Sequence, residues 1–112
     1  MIQGKVWGHT KHLLTNKSFE LHEIKFNNGH KCSKHKHNTK YNLFYCITGK
    51  LLIRVWKNDY DLVDETILKP GMFTAVAPGE FHQFEALSDG EALEIYWSEF
   101  NPDDIVRENV GE

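Results

Sequence analysis

The sequence is poor in the features that would place it in several common protein classes. Two cysteines among 112 residues are too few for the disulfide framework of a small secreted protein. No apolar run approaches the roughly 20 residues of a membrane-spanning helix, and the N-terminus lacks the apolar segment of a signal peptide. We therefore expect a cytoplasmic protein that does not bind a membrane.

The net charge of the protein is also small. Thirteen Lys and Arg residues against sixteen Asp and Glu residues give a formal net charge of −3. Nucleic-acid-binding domains carry a basic excess, so nucleic acid is not an expected partner. The length suits one domain, and we predict a single domain over residues 1–112.

Short segments rich in β-forming residues alternate with turns along most of the chain, and no segment carries a helical stripe. The predicted strands cover residues 19–26, 43–47, 51–56, 62–68, 72–77, 81–87 and 92–97. Turns at such close spacing are typical of an all-β barrel or sandwich. Residues 8–18 are interpreted as a polar loop, and segments 43–47 and 51–56 as the two arms of a hairpin.

The first of these strands does not alternate simply. Phe19 and Leu21 belong to one face, whereas Ile24 and Phe26 belong to the other. Such a change of face indicates a twist, a bulge or burial of both faces of the strand.

Histidines provide the clearest chemical signal. His35 and His37 are two residues apart, so an extended chain would direct both imidazoles to the same side. A Pro-Gly turn precedes His82, which could approach from a neighbouring strand. Imidazole is a common metal ligand, so these three residues are candidate ligands. The remaining histidines are interpreted as unrelated surface residues, namely His9, His12, His22 and His30.

The order of these residues resembles the two motifs of the cupin superfamily. The matching positions are His35, His37, Asn42, Gly49, the pair Pro70-Gly71 and the segment Pro78-Gly79-Glu80-Phe81-His82. The resemblance implies an antiparallel jelly-roll barrel with a core over about residues 19–98 and a tail over residues 99–112. It also implies a metal ion inside the barrel and pairing into a homodimer.

Within this resemblance, His35, His37 and His82 are the expected ligands of a divalent Zn, Fe, Ni or Mn ion. Asn42 stands where cupins usually carry a glutamate ligand, and an amide oxygen is a weaker donor than a carboxylate. Whether Asn42 coordinates the ion stays open. The loss of that negative charge favours a small polar or anionic molecule as substrate, or else lowers the affinity of the site for the metal ion.

The pocket walls are predicted from strand parity and from position near the motifs. The candidate substrate-binding residues are Lys40, Tyr41, Phe44, Phe84 and Tyr96. No residue is identified as a catalytic base, although Glu80 and Glu85 are candidates.

The C-terminal segments 94–97 and 102–107 are similar to the end of the cupin domain in type II mannose-6-phosphate isomerases. This similarity implies a metal-dependent sugar-phosphate isomerase or epimerase. Two alternatives stay open: a three-histidine iron or nickel dioxygenase, and a sugar- or metabolite-binding module without catalysis.

Overall fold

A computed structural model describes residues 1–57, 62–98, 103–104 and 106–108. These residues form β-strands and turns, and none of them lies in a helix that could cross a membrane. The strands are β1 (Ile2–Lys5), β2 (Gly8–Thr15), β3 (Phe19–Phe26), β4 (Tyr41–Thr48), β5 (Leu51–Trp56), β6 (Val63–Leu68), β7 (Phe73–Val76), β8 (Phe81–Ala86) and β9 (Gly90–Trp97). The predicted tail over residues 99–112 lies largely outside the described residues.

Two antiparallel sheets enclose the core. The larger sheet has the strand order β1-β2-β3-β9-β4-β7, and the smaller has the order β6-β5-β8. Their inner faces contribute most of the buried apolar side chains, which include Ile24, Phe26, Phe44, Cys46, Leu51, Ile53, Val76, Phe84 and Ala92. The predicted all-β class and antiparallel jelly-roll fold are confirmed.

The N-terminal segment is more regular than the sequence predicts. Strands β1 and β2 form a hairpin, and β2 pairs with β3 from Gly8↔Phe26 to Thr15↔Glu20. The prediction of a polar loop over residues 8–18 was therefore wrong. The inner face of β2 carries Thr10 and His12, which lie opposite Ile24 and His22. Because polar side chains occupy both faces of β2, the strand has no hydrophobic period.

Strands β4 and β5 belong to different sheets, so the predicted hairpin was also wrong. β4 pairs with β7 and β9, whereas β5 pairs with β6 and β8. Gly49 connects them with φ of 81°, a conformation that L-residues rarely adopt. A Cβ atom there would lie 2.4 Å from the carbonyl oxygen of Asp89. The glycine thus permits a close approach that carries the chain from one sheet to the other.

Candidate metal centre

The backbone brings His35 and His82 together directly. The His35 amide donates to the His82 carbonyl at 3.0 Å, and the His82 amide donates to the His35 carbonyl at 2.8 Å. Residues paired in this way across two antiparallel segments direct their side chains to the same face. The contact is an isolated bridge rather than a full strand, but the chain at His35 is extended as predicted.

His37 completes a cluster of three imidazoles. One potential ligand atom from each of His35, His37 and His82 lies within 4.8 Å of the other two. The ring centroids are 4.5 Å apart for His35 and His82, and 5.4 Å apart for His37 and His82. Within the described parts of the chain, this is the one group of three or more His, Cys, Asp or Glu residues arranged to hold a metal ion.

Hydrogen bonds orient two of these rings. His35 Nδ1 donates to the Ser33 carbonyl at 2.8 Å, and His82 Nδ1 donates to the Glu80 carbonyl at 3.1 Å. Because a carbonyl oxygen can only accept, the proton is on Nδ1 and Nε2 keeps its lone pair. Backbone carbonyls fix the ligating nitrogen of metal-binding histidines in this way.

Burial favours the neutral form of His37 and His82, which is the form that binds metals. Burial, together with a smaller effect of the Lys40 charge, lowers the pKa of His37 to about 4. Burial also lowers the pKa of His82, although the Glu80 carbonyl opposes this effect. His37 Nε2 is buried and has no hydrogen-bond partner among the described residues. Such an orphaned nitrogen fits a metal ligand.

Asn42 lies on the inner face of β4 beside the histidines. It is 1% exposed, and its Oδ1 atom is 3.2 Å from His82 Nε2. Both atoms are acceptors when the His82 proton is on Nδ1, so they present lone pairs to each other in a buried place. A cation between them would satisfy both. The donor set of three imidazoles and one amide oxygen therefore fits a divalent metal ion.

The histidine cluster borders an open cavity of about 670 Å³ beneath the β1–β2 hairpin. Its walls include both polar and aromatic side chains, among them Trp7, Glu20, His22, Cys32, His35, Lys40, Phe84, Glu94 and Tyr96. A cavity of this size suits a small molecule.

Glu94 and Tyr96 form a pair on the inner face of β9. The Tyr96 hydroxyl donates to Glu94 Oε1 at 2.5 Å. Burial raises the pKa of Glu94, and it also raises the pKa of Tyr96. Tyr96 is predicted from the sequence, whereas Glu94 is not. Their spacing of two residues in a strand was the available signal, because it places both on one face.

The two glutamates considered as candidate bases are engaged elsewhere. Glu80 Oε2 pairs with Lys57 Nζ at 2.8 Å, and Glu85 Oε1 pairs with the Arg54 guanidinium at 2.8 Å. Neither lines the cavity described above.

The candidate substrate-binding residues divide into two groups. Lys40, Phe84 and Tyr96 line the cavity, and Lys40 Nζ lies 4.1 Å from the centre of the Tyr96 ring. Phe44 is 1% exposed and belongs to the core beneath His82. Tyr41 belongs to the outward set of β4 and stacks on Trp97 at 5.3 Å, because one residue of difference reverses the face of a strand.

His22 lines the cavity, so its prediction as an unrelated surface residue was wrong. It lies on the inner face of β3, and its Nε2 is 3.2 Å from Glu20 Oε2. That hydrogen bond lowers the pKa of Glu20. The His22 ring is also 5.9 Å from the ring of Tyr96.

Comparisons with known proteins agree with this architecture. Residues 22–99 match the family model described as Cupin domain, whereas no curated protein matches the sequence. Among solved structures, KdgF from Halomonas sp. has a TM-score of 0.75 and 16% identity, over 89% of each chain.

Two larger proteins also contain a similar domain. The capsular polysaccharide assembling protein CapF from Staphylococcus aureus has a TM-score of 0.75 and 21% identity, over 93% of this chain and 30% of its own. A variant of oxalate decarboxylase from Bacillus subtilis has a TM-score of 0.78 and 12% identity, over 88% of this chain and 27% of its own. At these identities the neighbours show the fold alone. From the family match and the shared fold, the chain belongs to the cupin family.

Proposed function

We propose that this cupin is a metal-dependent enzyme that moves a proton on a small anionic carbohydrate, as an isomerase or epimerase does. The proposal depends on the position of Glu94. Its carboxyl group is buried apart from the side that faces the cavity, and the same cavity is lined by His35. The centre and the carboxyl group would then act on adjacent atoms of one substrate.

His35, His37 and His82 would hold the metal, and Asn42 Oδ1 would be a fourth donor. Two donors bonded to one ion at about 2.1 Å are about 3.0 to 3.4 Å apart at right-angled to tetrahedral geometry. The 3.2 Å separation of Asn42 Oδ1 and His82 Nε2 falls in this range. An amide in place of a carboxylate leaves the centre with a larger positive charge, which favours an anionic ligand.

A bound divalent ion would supply Lewis-acid polarisation of a substrate carbonyl or hydroxyl oxygen. Glu94 would accept a proton from the neighbouring carbon and return it to the product. Its raised pKa suits this role, because a general base works best near the ambient pH. The Tyr96 hydroxyl, which donates to Glu94 Oε1, would hold the carboxylate in position.

Charge and shape support an anionic sugar derivative as substrate. Lys40 lines both the main cavity and a smaller adjoining cavity of about 140 Å³, which also contains Lys17. Within the described residues, neither lysine forms an ion pair with a carboxylate, so both are available to a phosphate or carboxylate. Trp7 and Phe84, with ring centroids 4.8 Å apart, offer an apolar wall for a sugar ring. Capsular polysaccharide assembly by the neighbour CapF also suggests carbohydrate chemistry.

Metal analysis of the purified protein tests the first half of this proposal. We expect one divalent ion per chain after incubation with zinc and dialysis, measured by plasma mass spectrometry. His37→Ala should lose the ion, whereas His30→Ala, which removes an exposed histidine, should retain it. A wild-type protein that stays metal-free would refute the centre, as would full occupancy in the His37 variant.

Hydrogen exchange tests the second half. Proton transfer in D₂O should introduce deuterium next to the carbonyl of a sugar phosphate or sugar acid. NMR would measure the rate at which the deuterium is incorporated. We expect Glu94→Gln to lose at least a hundredfold in exchange rate, since general acid–base catalysis contributes roughly 10²- to 10⁴-fold. Its metal content should be unchanged. Equal exchange rates in the variant and wild type would exclude Glu94 as the base.

A three-histidine dioxygenase is the second candidate, because the donor set contains no carboxylate. Oxygen consumption by the iron-loaded protein with a candidate substrate, in the absence of deuterium exchange, would favour that function. Ligand binding with neither activity would favour a binding module.

A further inference from the structure

The inward face of strand β3 changes from apolar to polar along its length. Ile24 and Phe26 are buried in the core, whereas Glu20 and His22, which belong to the same face, line the cavity. The register of β3 with β9 continues along the whole strand without a shift, so a bulge does not cause the change. Two polar side chains therefore reach the cavity from a strand whose other inward residues belong to the core.

The register of β3 with β9 places these two side chains beside Glu94 and Tyr96. His22 lies directly opposite Glu94, and Glu20 lies directly opposite Tyr96. Opposite residues on antiparallel strands share a face, with Cβ atoms about 4.5 to 5.5 Å apart. All four residues line the same cavity. Its wall therefore contains two hydrogen-bonded pairs side by side, His22 with Glu20 and Tyr96 with Glu94.

The two carboxyl groups of this wall have opposite electrostatic environments. The hydrogen bond from His22 lowers the pKa of Glu20, and the charge of Lys40 adds to this effect. Burial, in contrast, raises the pKa of Glu94. Because an ionised carboxylate can only accept, His22 Nε2 donates to Glu20 Oε2, and His22 Nδ1 keeps a lone pair. Titratable groups whose environments separate their pKa values in this way are suited to different roles in proton transfer.

Sugar isomerisation requires more than one proton transfer. Conversion of an aldose to a ketose moves one proton between neighbouring carbon atoms and another between the oxygen atoms attached to them. Glu94 accounts for the carbon-bound proton in the proposed function. The oxygen-bound proton needs a second group in the same cavity that can both accept and donate, and imidazole is the side chain that most often does this.

We infer that His22 is a second catalytic residue, which moves the oxygen-bound proton, and this inference rests on the proposed function. His22 Nδ1 accepts the proton of the substrate hydroxyl group and gives it to the neighbouring oxygen, which was the carbonyl oxygen. One O–H bond breaks and one forms, so the imidazole returns to its starting state. Glu20 is a positioning residue, because its carboxylate fixes the tautomer of His22 and stabilises the transient imidazolium, as the carboxylate of a catalytic triad does.

A second histidine lies close to His22 but is placed differently. The ring of His12 on β2 is 5.1 Å from the ring of His22. His12 is exposed, its Nε2 is hydrogen-bonded to the Thr15 hydroxyl, and it does not line the cavity. Tyr96 approaches from the other side, with its ring 5.9 Å from that of His22. His22 is therefore the histidine of this pair that can reach a substrate.

Parallel measurement of deuterium exchange and isomerisation tests the inference. The probes are mannose 6-phosphate, glucose 6-phosphate and fructose 6-phosphate, with the zinc-loaded full chain in D₂O. We expect His22→Gln to lose at least about a hundredfold in isomerisation, the lower end of the range for general acid–base catalysis. It should retain exchange, because Glu94 still removes the carbon-bound proton and returns a deuteron to the same carbon. Glu94→Gln should lose both reactions.

Glu20→Gln tests the positioning residue. It should lower kcat for isomerisation, leave KM unchanged and retain exchange, whereas a general disturbance of the cavity would lower both reactions together. The matched control is His9→Gln, which removes a histidine of the same sheet on the outward face opposite Lys25. It should retain both reactions, and circular dichroism and metal content would show that each variant is folded and loaded.

The outcomes separate this inference from the proposed function. A wild type that neither exchanges deuterium nor isomerises any of the three sugar phosphates would refute both. A wild type that exchanges deuterium without isomerising would overturn the inference alone, since no oxygen-bound proton then moves. Unchanged isomerisation in His22→Gln would also overturn it, as would an equal loss of both reactions in that variant when it is folded and loaded with metal.

Discussion

Acidification should destabilise the metal-free protein through its buried histidines, and His37 gives the clearest case. Burial lowers the pKa of His37 from 6.5 to about 4 in the folded chain. In the unfolded chain the same imidazole takes up a proton near pH 6.5. The unfolded state therefore binds more protons between these values, and the free energy of unfolding should fall as the pH drops from about 6.5 toward about 4.

The magnitude follows from the difference between the two pKa values. The full difference in the pKa of His37 corresponds to about 3 kcal/mol in the free energy of unfolding. The His37 side chain is only half-buried, so solvent screens part of this effect, and we expect roughly 1 to 1.5 kcal/mol between about pH 7 and about pH 4.5. For a domain of this length, such a loss lowers Tm by roughly 5 °C.

Urea unfolding of the metal-free wild type and of His37→Gln, measured in parallel across this pH range, isolates the contribution. Groups that titrate equally in both proteins cancel in the difference between their free energies of unfolding. The advantage of the wild type over the variant should shrink as the pH falls. His30→Gln, which replaces an exposed histidine outside the cluster, is the matched control. A wild-type advantage that stays constant across the range would refute the assignment of His37 as a buried neutral imidazole.

Two further substitutions test two separate features, namely the chain connection between the two sheets and the positive charge in the cavity. Gly49→Ala should lower the free energy of unfolding by about 2 to 4 kcal/mol, because it adds a clash with Asp89 to the cost of a positive φ. The control is Gly29→Ala, at a position with a similar φ and open space around it. It should lower the free energy of unfolding by about 1 kcal/mol. Equal losses in chemical unfolding would show that the close approach is unimportant. Lys40→Gln should weaken binding of a sugar phosphate by about tenfold in calorimetry, or about 1.4 kcal/mol, and the difference should shrink at high salt. Lys36→Gln, outside the cavity, should bind normally; an equal loss in both variants would indicate a non-specific charge effect.

The part of the metal centre that the sequence predicts depends on chain geometry over a few residues. The spacing of His35 and His37 directs two imidazoles to one side of an extended chain, and the turn before His82 brings in the third. These relationships need only chain geometry over a few residues, together with the motif order. Strand positions are predicted for the same reason, since turn residues and β-forming segments are visible locally.

The features that the sequence does not predict depend on the pairing of strands that are far apart in the chain. A glycine turn such as Gly49 has the same local pattern whether the next strand returns to the same sheet or enters another. The spacing of Glu94 and Tyr96 places both on one face of a strand, but the register of β9 with β3 and β4 was needed to show that this face lines the cavity. His22 was missed because its strand carries apolar residues on both faces, so the inward face could not be identified from hydrophobicity.

X-ray absorption spectroscopy of the zinc-loaded protein tests the central claim most directly, because it counts and identifies the metal's ligands. We predict three imidazole nitrogens at about 2.0 to 2.1 Å, with any remaining ligands being oxygen. Sulfur is not expected, since burial raises the pKa of the nearby Cys32 thiol to about 11 and keeps it protonated. Fewer than three imidazoles, or a sulfur scatterer at about 2.3 Å, would contradict a centre formed by His35, His37 and His82.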